Sequence, residues 1–153
     1  MQQVVKEIGL PVFLLQFDRT ECRFESIEEI VAYLKAEIIG HRAAQFIGTF
    51  DHKKHTSELP EGRIAEGIVA AYNLVFCFGF SLQEPEQLAV RPRSIGICQM
   101  NEQITISFLE APMPVANALM EQWAISLVNP SSVDQSSSLL EEHPGSNPST
   151  TPP

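Results

Sequence analysis

The chain has 153 residues, of which 44% are hydrophobic, and its net charge is −9. This length and apolar content favour one globular domain with a core of its own. The acidic balance and the scattered basic residues argue against nucleic acid as a partner, because a phosphate backbone would be repelled.

The first predicted elements are a strand and a helix. Residues 12–17 (VFLLQF) are a short apolar run between turn-prone residues, which is typical of a strand. Ser26 and Glu29 have the spacing of a capping box, in which the Glu29 carboxylate returns to the Ser26 N–H. The apolar residues that follow recur with the 3.6-residue period of a helix packed on a sheet, at Ile27, Ile30, Val31, Leu34 and Ile38. We expect Gly40 to end this helix in a left-handed conformation.

The middle of the chain predicts two strands with polar and helical segments between them. Residues 43–50 (AAQFIGTF) favour a strand, and residues 51–55 (DHKKH) a polar loop that leaves the sheet. Residues 64–71 favour a short helix. Residues 74–78 (LVFCF) are nearly all apolar, which indicates a strand inside the sheet.

A hairpin and a helix complete the predicted domain. Residues 94–100 and 103–109 are two strands joined tightly at Asn101 and Glu102. The last helix covers about 114–128, with Pro114 in its first turn. Its apolar residues Leu119, Trp123 and Leu127 recur every four positions, and Asn129-Pro130 stops it.

These elements predict an α+β fold of β-α-β4-α order, a mostly antiparallel sheet with two helices packed on one face. The predicted domain covers residues 1–128. Residues 129–153 are rich in Pro and Ser and contain Asp134, Glu141 and Glu142 but no Lys or Arg. We expect this acidic tail to be disordered, because it has too few apolar residues to offset the entropy of ordering.

The predicted compartment is the cytoplasm. No apolar run approaches the roughly 20 residues that a membrane span needs, so no membrane partner is expected. Residues 1–7 (MQQVVKE) do not have the pattern of a signal peptide. Cys22, Cys77 and Cys98 are an odd number without a C-x-x-C pair, so we expect free thiols.

Three segments carry a resemblance to a known family. Residues 50–55 (FDHKKH), 59–60 (LP) and 73–79 (NLVFCFG) resemble the bacterial domain-of-unknown-function family 302. The resemblance covers roughly residues 10–128. It implies a β-α-β4-α order similar to the TATA-binding-protein fold and frequent dimers, but no established activity. That family usually continues Phe-Gly with Asn-Pro, whereas Gly79 is followed here by Phe80.

Asp51, His52 and His55 are the first candidate site residues. An Asp beside a His can orient an imidazole for acid–base work or metal binding, and the alternative is a turn in which Asp51 accepts from the backbone two residues on. His52 and His55 would face together on a helical turn and could share a metal ion, or they are solvated loop histidines. A complete site would need further ligands, such as a cysteine.

Cys98, Thr105 and Ser107 are the second group of candidates. In the predicted hairpin Cys98 shares a face with Gly96, and Thr105 and Ser107 lie on the same, non-core side. A shallow surface of small residues results, on which a small-molecule ligand or a second subunit could lie. The alternative is an ordinary hydrated sheet face. Cys77, within its apolar run, is expected to be buried and unreactive.

Arg91 and Arg93 could clamp an anion, although two arginines in an acidic protein more often form surface ion pairs. No phosphate-binding glycine pattern is present.

No catalytic constellation stands out, so the leading hypothesis is a non-enzymatic binding module that forms a homodimer. The alternative is a metal- or haem-binding protein, or a small metal-dependent enzyme, that uses His52, His55 and a cysteine. A thiol-redox role for Cys98 is a third hypothesis.

Overall fold

A computed structural model describes residues 9–130 of the chain. The predicted disordered tail, 129–153, lies outside these residues except for Asn129 and Pro130. The elements are, in chain order, β1 (Val12–Asp18), α1 (Ile27–Gly40), β2 (Ala44–Asp51), α2 (His52–Glu58), β3 (Ile68–Phe78), β4 (Arg93–Met100), β5 (Gln103–Leu109) and α3 (Pro114–Ile125). Short 3-10 turns at Arg19–Glu21 and Pro85–Val90 follow β1 and precede β4.

The five strands form one sheet in the order β1-β5-β4-β3-β2, and each neighbouring pair is antiparallel. β4 is therefore the middle strand, and β1 and β2 are the edges. The predicted α+β fold and the β-α-β4-α order of its main elements are confirmed, with α2 as an addition.

Helix α1 packs its apolar stripe on the sheet. Ile30, Leu34 and Ile38 are fully buried against the core. Ser26 caps the helix as predicted, since its Oγ accepts from the Glu29 N–H at 3.2 Å. The Glu29 carboxylate, however, accepts from the N–H of Glu25 rather than from that of Ser26. The helix ends at Gly40 without a left-handed residue, because the capping residue His41 is extended.

Helix α3 lies on the same side of the sheet as α1. Its Trp123 ring packs edge-on to Phe76 of β3, and Met120 is buried beside it. Pro114 is the first helical residue, as predicted. The helix ends at Ile125 rather than at Val128, yet Leu127 remains fully buried in the turn that follows.

Two predicted segments are wrong. Residues 51–55 are not a loop: Asp51 ends β2 and caps the helix α2 that begins at His52. Residues 64–71 are not a helix, because Ile68 already pairs with Met100 and Ala71 with Cys98 in the sheet. Pairing with a neighbouring strand outweighs the local helical pattern there.

The last described residues are joined to the turn after β1. Val128 forms an isolated bridge with Cys22, and the Asn129 N–H donates to the Glu21 carbonyl at 2.8 Å. None of the helices within 9–130 combines the length and the hydropathy that spanning a bilayer requires.

Candidate functional site

The side of the sheet that faces away from α1 and α3 holds the second group of predicted site residues, and we call it the outer face. Alternation along the strands puts Cys98, Thr105 and Ser107 on this face. Cys98 lies directly opposite Thr105, and Gly96 lies directly opposite Ser107. The structure thus brings together the small residues that the sequence placed on one surface.

One row of residues crosses the whole outer face. The strand pairings align it, from β2 to β1, as Phe50, Asn73, Gly96, Ser107 and Leu14. A large apolar side chain therefore lies at each end of the row, and the smallest residue lies at its centre.

Gly96 makes this centre shallow. A Cβ atom at position 96 would lie 2.7 Å from the Ser107 Oγ, so the serine hydroxyl occupies the space that a side chain would take. In the adjacent row, the Gln16 amide donates to the Thr105 Oγ1 at 3.4 Å. The middle of the outer face is consequently a smooth surface of small and uncharged groups.

The strand residues on the outer face are mostly uncharged, and several of them are large and apolar. The charged residues of the five strands are Asp18, Asp51 and Arg93, and among these only Asp18, at the end of β1, has an outward position. Large exposed hydrophobic side chains lie at outward positions, namely Val12, Leu14, Phe50, Val69, Met100 and Leu109. An antiparallel sheet with one hydrated face normally alternates apolar-in with polar-out. Strand β5 follows this rule with Gln103, Thr105 and Ser107, whereas the six exposed apolar residues depart from it.

Cys98 is a half-buried thiol in the middle of this surface. Burial raises the pKa of the Cys98 thiol, so the neutral form dominates at neutral pH. The thiolate is the nucleophilic and redox-active form. This environment therefore argues against the thiol-redox hypothesis.

Cys77 is also half-buried on the outer face, not enclosed in the core as predicted, because Phe76 and Phe78 take the inward positions on either side of it.

Asp51 has a structural partner. Its Oδ1 accepts from the Lys54 N–H at 2.8 Å and so caps α2. The donor lies three residues after Asp51, not two as predicted for a turn. Asp51 pairs with Tyr72 across the strands. The pKa of the Tyr72 phenol is raised by burial first and then by the charges of Asp51 and Glu28. Asp51 thus points away from the outer face, toward the side where α1 packs.

His52 and His55 lie on one side of α2, as the helical spacing requires. Their rings pack against Phe50, with ring centroids 4.7 Å and 5.2 Å from that of Phe50. Both histidines are exposed. They sit beside the β2 edge, two strands away from Cys98, so the three residues do not converge. Among residues 9–130, no three His, Cys, Asp or Glu side chains form a group that could hold a metal ion.

Comparison with known proteins identifies a family. A model described as Family of unknown function (DUF6858) matches residues 1–129. The chain belongs to this family. The match gives no evidence for family 302 specifically, which the three short segments resemble. No curated protein and no solved structure matches the chain.

Two features of this DUF6858 chain were missed by sequence reasoning. Phe50 and Leu14 lie in one row with the predicted small residues, and only the strand pairing of β2 and β1 shows this. Arg93 is buried, with 7% of its surface exposed, so for this residue the expected surface ion pair is wrong. No periodic pattern marks a buried arginine, because its position at the start of β4 also fits an exposed strand end.

Proposed function

We propose that this protein is a non-enzymatic binding module that acts as a homodimer, with the outer face as the interface between the two copies. The observation that carries the proposal is a sheet face opposite α1 and α3 that has, within residues 9–130, large exposed apolar residues and one charged strand residue at its border. Exposed contiguous apolar patches on otherwise polar proteins mark interaction sites.

A second copy fits this face because the face is self-complementary. Phe50 and Leu14 lie two strands from β4 on either side. A two-fold axis along β4 would bring Phe50 over the partner's Leu14 and would place the small residues around Gly96 of the two copies opposite each other. Isologous interfaces require this kind of match between a surface and itself.

The low charge of the face also favours a second copy. The chain carries a net charge of −9, so two copies repel each other at most orientations. Two outer faces would oppose few carboxylates, since Asp18 is the one charged strand residue at an outward position among residues 9–130. A strongly basic partner would instead prefer the acidic remainder of the chain.

The area of the face predicts a moderate affinity. Strands about 4.8 Å apart and seven or eight residues long give a face of roughly 500 Å² per copy. Two such faces bury about 1,000 Å², which is near the lower bound for a specific interface. We therefore expect a dimer that dissociates on dilution.

Light scattering on the full chain, measured from micromolar to near-millimolar concentration, tests the proposal. A molar mass that rises from one chain to two and stops there supports it. A monomer throughout this range counts against it, and growth beyond two chains indicates a different, open mode of association.

The metal- or haem-binding hypothesis remains an alternative that no contact in the described residues favours. It requires His52 and His55 to find further ligands from elsewhere, for example from a second copy. Elemental analysis of the purified protein, with thermal melts in zinc, iron, copper and haem, tests it. Bound metal that is lost in the His52→Ala, His55→Ala double variant would support this alternative, and no metal with unchanged melting would remove it.

A further inference from the structure

A small cavity lies at the end of the sheet where β3 ends, β4 begins and α3 starts. It has a volume of about 90 Å³. A cavity needs roughly 10–15 Å³ by this measure to hold one water, so the space can hold several waters or a small organic group. Most of its wall is apolar, formed by residues such as Phe78, Val90, Met113 and Ala116, and its polar residues include Arg91 and Arg93.

Arg93 is the buried charged residue of the described chain. Its guanidinium donates to the Val90 carbonyl at 3.2 Å and to the Leu109 carbonyl at 2.9 Å. These bonds involve Nη1 and Nη2, and each of these nitrogens has a second N–H. Burial and, next, the charge of Arg91 lower the pKa of Arg93. Arg91 therefore lies close enough to act on Arg93, and a buried charge in a protein is normally paired with an opposite charge.

Arg91 is held at the same cavity by the loop that follows β3. Its Nη1 donates to the Ser81 carbonyl at 2.9 Å. Its Nη2 lies over Gly79, where a Cβ atom would come within 2.9 Å of it. Gly79 also has a φ of +130°, a conformation that glycine adopts readily. The loop is therefore shaped to keep a second guanidinium beside the first, in a protein whose net charge is −9.

The start of α3 adds a third positive feature. This 12-residue helix has Met113 as its N-cap, without a side-chain hydrogen bond, and Met113 and Ala116 are in the cavity wall. The N-terminus of a helix has a partial positive charge from the aligned peptide dipoles. The wall is also rigid: the Asn117 side chain accepts from the Ala111 N–H at 2.5 Å and donates to the Ala111 carbonyl at 2.8 Å.

We propose that this cavity binds a small organic acid with an apolar body, whose carboxylate is held by Arg93 and Arg91. A carboxylate suits a guanidinium because the two groups can form parallel hydrogen bonds. The apolar wall would surround the hydrocarbon part, and the volume restricts the ligand to a short chain. The site lies at the end of the inner, helix-covered side of the sheet, so it does not depend on the proposed dimer.

Isothermal titration of the full chain with butyrate tests the proposal, with butyramide as the uncharged analogue of the same shape. Saturable binding of butyrate and none of butyramide is expected. Arg91→Gln should weaken butyrate binding at least tenfold, whereas the exposed Arg63→Gln should leave it unchanged. Arg91 is half-buried, so this variant keeps the test valid even if variants of the buried Arg93 do not fold.

Several results would overturn the proposal. These are equal binding of butyramide and butyrate, no saturable binding of butyrate, and an unchanged affinity in Arg91→Gln. Inorganic phosphate provides a further arm of the test. Saturable binding of phosphate without binding of butyrate would show an oxyanion site of another class and would also overturn it.

Discussion

Phe50 and Leu14 lie at opposite ends of one row across the outer face, each two strands from β4. The row has Gly96 at its centre, and Cys98 is two residues further along the same strand. This symmetry about β4 is the geometric basis for the proposed face-to-face dimer.

Cross-linking through Cys98 follows from the proposed axis. A two-fold axis along β4 leaves each residue of that strand opposite itself, so the two Cys98 side chains would point toward each other between backbones about 10 Å apart, the usual spacing of packed sheets. A chain with Cys98 as its sole cysteine should give a covalent dimer with a bismaleimide of similar reach. A chain that keeps only Cys22, which is also half-buried, should stay monomeric on a denaturing gel, and a chain that keeps only Cys77, one strand from the axis, should give less covalent dimer. Dimers of equal yield from all three chains would contradict the proposed axis.

Arg93 is expected to stabilise the fold even without a ligand. Its guanidinium joins the carbonyls of Val90 and Leu109, so it ties the turn before β4 to the end of β5. Arg93→Lys keeps the charge but cannot reach both carbonyls in the same planar geometry. Urea unfolding should show a loss of about 1–3 kcal/mol, the cost of hydrogen-bond partners left unsatisfied in a buried site. An unchanged free energy of unfolding would mean that the two bonds do not matter to stability.

Asp51 should behave as a helix cap and not as an acid–base group. Asp51→Ala removes the acceptor of the Lys54 N–H and should destabilise α2 by about 1 kcal/mol. Asp51→Asn keeps an acceptor and should cost much less. Hydrogen exchange of the α2 amides measures both effects. Equal deprotection in the two variants would show that the charge of Asp51, rather than its capping bond, holds the helix.

Stability should fall at alkaline pH, because the pKa of Cys98 and the pKa of Tyr72 are both raised in the folded chain. The folded state then keeps a proton that the unfolded state has lost, so its full stability is present below the ordinary pKa values and declines as pH rises through the raised ones. The decline should begin near the ordinary thiol pKa of about 8.5 for Cys98 and near about 10 for Tyr72. The free energy of unfolding in urea, measured across this range, should depend less on pH than in the parent chain. This difference should appear at the lower end of the range in Cys98→Ser and at the upper end in Tyr72→Phe. Curves identical to the parent's would contradict these assignments.

The sequence predicts the fold well where pattern and tertiary structure agree. Ile30, Leu34 and Ile38 share a stripe of helical period and are buried together, and Ile104, Ile106 and Phe108 alternate with outward residues in β5. The Asn101–Glu102 hairpin also follows from local chemistry, since Asn101 adopts a positive φ of 52°.

The errors have identifiable physical causes. Helix α2 has no apolar stripe, so no hydrophobic periodicity marks it in the sequence. Its one sequence signal is Asp51, a residue type that caps helices. Ile64 and Ile68 have helical spacing, but Ile68 pairs with Met100 in β3 and β4. The burial of Arg93 depends on the loop carbonyls around it, which no local pattern encodes.

Sedimentation of two single variants tests the outer-face interface most directly. Leu14→Glu puts a carboxylate on the outer face, at a side chain that is 61% exposed, and Ile39→Glu puts one on α1, at a side chain that is 59% exposed. The account predicts that Leu14→Glu abolishes the dimer while Ile39→Glu sediments as the parent chain does. A dimer that survives Leu14→Glu, or that is lost equally in Ile39→Glu, would contradict the outer face as the interface.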